Sequence, residues 1–132
     1  MGYEKNKRHR QKGRFFSIPN VVAEHPDYIS LGANSIRLLN EAALQYNGRN
    51  NGKLCFVWSQ MSKRGWKSKE TLQTAKNELV SKNLLIVSKY GGIFEGKGMP
   101  QYYAITWQPI DEILGFEMDV EPTIMPVRSF SI

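Results

Sequence analysis

Two helical stretches separated by a glycine occupy residues 59–82 and leave few folds open to the chain. Residues 59–64 read as a short helix capped by Ser59, and Gly65-Trp66 breaks it. A longer helix begins after Ser68, a good N-cap residue, and runs to about residue 82, where Asn83 stops it. Leu72, Ala75 and Leu79, with Val80 at the flank, form the apolar stripe that this helix buries. Lys69, Glu70, Gln73, Thr74, Lys76 and Asn77 lie on its opposite face.

The flanking sequence supplies the rest of a small domain. An earlier helix is predicted over residues 35–46, with Asn34 as N-cap and Ile36, Leu39, Ala43 and Tyr46 as its buried stripe. Residues 47–52 stop it, because Asn and Gly tolerate the positive φ of tight turns. Residues 54–57 are apolar and predict a short buried strand. Residues 84–90 and 101–107 are rich in β-formers and are joined by a glycine-rich loop, so they predict a long β-hairpin. Ahead of these, Phe15 and Phe16 are expected to dock on the core. Residues 20–24 read as a short helical stretch and residues 25–28 as a turn.

The 132 residues suffice for one hydrophobic core. A single cysteine, Cys55, excludes an intramolecular disulfide and a four-cysteine metal site. No apolar run is long enough to span a bilayer, and no apolar stretch follows the basic N-terminus as it would in a signal peptide. A cytoplasmic location, in the nucleoid or a host cell, is expected. The formal charge is +6 and is unevenly spread. Residues 1–14 carry six basic side chains against one acidic, and residues 15–107 carry eleven against six. Residues 108–132 carry one basic side chain against five acidic. The chain therefore divides into a basic arm (1–14) expected to be disordered when free, a body (15–107) and an acidic tail (108–132). Residues 110–118 of the tail could form a short helix that packs on its own domain, dimerises or docks a partner. The charge balance favours a polyanionic partner, most simply nucleic acid.

Helix, short strand, short helix, tight turn, longer helix and β-hairpin form an α+β order. In it, residues 33–107 resemble winged helix-turn-helix domains, particularly the small ones of phages, plasmids and integrated elements. The resemblance implies a three-helix core with a short strand and a C-terminal hairpin wing. It also implies that the third helix enters the major groove of double-stranded DNA with its N-terminal residues toward base edges. Ser68, Thr71, Gln73, Thr74 and Asn77 would then read bases, and Lys63, Arg64, Lys67, Lys69 and Lys76 would meet phosphate or base edges. Lys89 and Lys97 of the wing would lie on the backbone or minor groove. Lys7, Arg8, Arg10, Lys12 and Arg14 of the arm would do the same. Trp66 belongs either to the core or to this surface, whereas Trp58 and Trp107 are assigned to the core.

No enzyme is expected. His9 and His25 have no metal-ligand spacing, Cys55 sits in an apolar run, and Asp111-Glu112 lies on the tail. Residues 91–97 match G-x-x-x-x-G-K, but Gly98 stands where a phosphate loop needs Ser or Thr, and a strand follows instead of a helix. Neither a cofactor nor a metal is anticipated. The expected function is that of a sequence-specific duplex-binding protein, a transcriptional repressor of a phage or mobile element, acting as a two-fold dimer. A replication-origin or partition protein is the alternative within DNA binding. A protein-interaction or RNA-binding module is the alternative outside it.

Overall fold

The computed structural model describes residues 11–131. Among these the architecture is α+β, with five helices and two small antiparallel sheets. The helices are α1 (Asn20–Ala23), α2 (Pro26–Ile29), α3 (Ala33–Gln45), α4 (Trp58–Met61) and α5 (Lys69–Ser81); a 3-10 turn, Ser62–Arg64, extends α4. The strands are β1 (Leu85–Lys89), β2 (Gly92–Phe94), β3 (Lys97–Met99) and β4 (Tyr102–Ile105). No helix among the described residues is long and apolar enough to cross a membrane.

The core forms where α3 and α5 pack on each other and on the β1–β4 pair. Leu38, Leu39 and Ala42 of α3 meet Leu72, Ala75 and Leu79 of α5, and Leu85, Tyr103 and Ile105 close the far side. Tyr103 and Phe56 pack as tilted rings with centroids 5.4 Å apart. The stripe predicted on α5 is buried as expected, and Val80 lies at its edge, partly exposed.

Two helix ends share one device, and together they place α5. Gly65 adopts φ +91°, its N–H reaches the Ser62 carbonyl, and the Trp66 N–H reaches back to Met61. Asn83 adopts φ +56°, its N–H reaches Val80, and the Leu84 N–H reaches back to Leu79. Both are Schellman closures, in which a left-handed residue turns the chain and the next side chain folds onto the last helical turn. The first buries Trp66 beside Met61 and the second buries Leu84 beside Leu79.

Several expectations are corrected. The first long helix starts at Ala33, two residues early, and Asn34 is not its cap. Gly32 takes that position and its N–H donates to Glu78 Oε1 at 3.0 Å. The buried side of this helix centres on Leu38, Leu39 and Ala42, leaving Ile36 and Tyr46 half-buried at its flank. Residues 54–57 make no continuous strand, only the single bridge Leu54–Tyr103. Ser59 is not a cap, because α4 begins at Trp58 after Val57. Residues 26–29 are a helical turn rather than a simple bend, because the His25 ring accepts from the Asp27 N–H at 3.0 Å. Phe15 does not dock on the core and stays 91% exposed; Phe16 is exposed beside it.

The hairpin has two parts. β1 and β4 pair from Leu85↔Ile105 to Lys89↔Tyr102 with an irregularity after Val87. Beyond it, β2 and β3 form an outer hairpin (Gly92↔Met99, Ile93↔Gly98, Phe94↔Lys97) that turns at Glu95-Gly96, both with positive φ.

The described residues of the tail form no helix. They make a strap of turns hydrogen-bonded to the rest of the fold. The Asp111 N–H donates to the Asn51 carbonyl and the Asp119 N–H to the Ser88 carbonyl; the Arg128 N–H donates to the Thr106 carbonyl. Ile110 is buried. Of the three uses considered for the tail, the structure presents packing on its own domain.

Candidate nucleic-acid interface

The Ser68 hydroxyl accepts from the Thr71 N–H at 3.3 Å, so this side chain is engaged as the N-cap of α5. Glu70, Gln73, Thr74 and Asn77 are exposed along the outward face, with Lys69 in its first turn. Gln73 Nε2 donates to Asn77 Oδ1 at 3.0 Å. One helical turn thus links the two amides, leaving a carbonyl on Gln73 and an amino group on Asn77 for another partner. Glu70, Thr71 and Thr74 also line a cleft of about 410 Å³ between α5 and the start of α3.

Among the described residues the cations divide into free and engaged. Lys63, Lys67 and Lys69 are exposed around the turn and the start of α5. Lys76 is half-buried, and burial lowers its pKa, while the nearby Cys55 thiol acts the other way. Burial in turn raises the Cys55 pKa. Arg64 is clamped: its Nε lies 2.9 and 3.1 Å from the two oxygens of the buried Glu41, and its Nη2 lies 2.9 Å from Oε1. This pairing raises the Arg64 pKa. Lys89 is half-buried with its ammonium 5.0 Å from the Phe116 ring of the tail, and Lys53 approaches the same ring at 5.1 Å. Lys97 is exposed on the outer hairpin.

Trp66 is resolved as core, only 4% exposed, so it offers no stacking surface. Its Nε1 has no hydrogen-bond partner among the described residues, and the Arg37 guanidinium stacks over its ring at 4.9 Å. Trp107 is buried and Trp58 half-buried against the core. Lys12 and Arg14 are exposed in the lead-in, outside any helix or strand, and Lys7, Arg8 and Arg10 lie outside the described residues.

Sequence reasoning passed over Arg37. Its Nη2 donates to the Arg64 carbonyl at 2.7 Å and its guanidinium lies over Trp66, so an exposed cation from α3 sits at the turn before α5. A signal was present, because Arg37 and Glu41 sit four residues apart on one helix and so share a face. Among the described residues no cluster of three or more His, Cys, Asp or Glu is placed to hold a metal ion. Compared with known protein families, characterised proteins and solved structures, the chain finds no match.

Proposed function

We propose that the chain is a sequence-specific double-stranded DNA-binding protein of winged helix-turn-helix form. In this reading it is a transcriptional repressor of a phage or other mobile element. One observation carries the reading. The Gly65 turn sets a capped thirteen-residue helix with an exposed amide and hydroxyl face, and free lysines surround its N-terminus.

In this reading Gln73, Thr74 and Asn77 read base edges. Lys63, Lys67 and Lys69 hold phosphates, joined by the basic arm. The partial positive charge of the α5 N-terminus favours the same phosphates. Arg64 acts indirectly, by fixing the turn to α3 through Glu41.

Selection from a randomised duplex library at near-physiological salt tests the proposal. An enriched motif, weakened by Asn77→Ala and Gln73→Ala, is the expected result. Binding without enrichment that vanishes with salt, or stronger competition by single-stranded RNA, overturns it.

A further inference from the structure

The outer hairpin does not have the composition of a phosphate-binding wing. Its large apolar side chains, with Tyr90 at its root, are open to solvent: Tyr90 is 64% exposed, Ile93 80%, Phe94 56% and Met99 44%. The register sorts them. Directly paired residues share a face, so Phe94, Lys97 and Met99 lie together while Ile93 stands alone on the other face, opposite Gly98. Phe94 and Met99, with Tyr90, Lys89 and Asp119, line an open groove of about 300 Å³.

The charges around this groove are balanced. Lys97 and Glu95 flank the tip, and Lys89 and Asp119 flank the root. Equal numbers of both signs give a polyanion nothing to gain, whereas a two-fold contact sets such a rim against its own complement.

We propose that the Phe94–Met99 face of the outer hairpin is a self-association surface, packing against the same face of a second copy of the chain. Phe94 of each copy fills the apolar groove of the other. Three partly exposed apolar side chains make a patch well short of the roughly 800 Å² per partner of a standard interface. The contact is therefore weak and reversible. It stands independently of the DNA reading, although two joined copies would present two α5 helices.

Sedimentation velocity on the full chain without DNA, from about 1 µM to about 500 µM, tests this through mass action. A monomer–dimer equilibrium is expected. Phe94→Ser and Met99→Lys should each raise its dissociation constant roughly tenfold or more. Ile93→Ser, on the other face of the same strand, should leave it unchanged. Circular dichroism confirms that each variant is folded, which a surface position allows. A monomer at every concentration overturns the proposal, as does a dimer insensitive to Phe94→Ser or equally sensitive to Ile93→Ser. Duplex binding weakened by Phe94→Ser in a chain that never dimerises would assign the hairpin to DNA instead.

Discussion

Asn51 acts toward Ile105 as a strand neighbour would. Its amide nitrogen donates to the Ile105 carbonyl at 3.0 Å and its side-chain oxygen accepts the Ile105 N–H at 2.8 Å. The same nitrogen lies 3.2 Å from the Gln108 carbonyl and 2.9 Å from that of Pro109, and the residue is wholly buried. Asn51→Leu strands these backbone groups and should cost about 3–5 kcal/mol in urea unfolding. Asn51→Asp should cost more, because it turns a carboxylate oxygen toward three carbonyls.

Gly65→Ala should destabilise by about 1–2 kcal/mol, since an L-residue resists this left-handed turn. An added Cβ would also meet Arg37 Nη2 at 2.8 Å. Thermal melts check the stability. In the DNA reading, duplex affinity should fall as well, because α5 loses its fixed origin.

Acid should loosen the strap and the α3–α5 contact. The Asp27 carboxyl is held below its ordinary pKa chiefly by the hydrogen bond from Arg128, with burial opposing and the charges of Arg128, His25 and Lys82 assisting. Glu78 is lowered by the Ser35 hydroxyl and the Gly32 amide. Both folded values lie below the unfolded ones. Their stabilisation is therefore complete above about pH 5 and is lost as pH falls through the folded values. Asp27→Asn and Glu78→Gln should each lower the midpoint at pH 7 and flatten its acid dependence. A pH series of melts reads both effects.

In the DNA reading, duplex binding should separate the exposed lysines from the engaged ones. Lys67→Ala and Lys69→Ala should each reduce the salt slope by about 0.9 per lost phosphate contact without shifting the melting midpoint. Lys76→Ala should leave the slope unchanged, because its ammonium is half-buried near Cys55. Fluorescence anisotropy over a salt series distinguishes the three.

Local signals were legible wherever a helix end chose its own residues. Ser68, Gly65 and Asn83 announced α5 and the turn before it, and the Leu72–Ala75–Leu79 period announced which side is buried. Tertiary partners hid the rest. Asn34 has the character of a cap, but the helix is capped two residues sooner at Gly32, whose N–H donates to Glu78 of α5, and no pattern within the helix encodes that. Residues 110–118 had a helical period, yet Pro109 and Gly115 flank or interrupt it, and the backbone finds partners at Asn51 and Ser88 instead. Arg64 and Lys89 read as open cations because charge is visible in sequence while their partners, Glu41 and Phe116, are distant in it.

The strap also bears on how slowly the fold is lost. Arg128 reaches back 101 residues to Asp27 at 2.6 Å and bonds the Lys82 and Asn83 carbonyls at 2.8 and 3.2 Å. A closure across so long a loop forms only after most of the chain has collapsed, since its entropy must first be offset by other contacts. Interactions absent from the transition state act on the unfolding rate alone. Arg128→Ala, with a loss of about 1–3 kcal/mol, should therefore accelerate unfolding in stopped-flow chevrons and leave the refolding limb in place. The residue that latches the end of the strap sets the lifetime of the native state rather than the speed of reaching it.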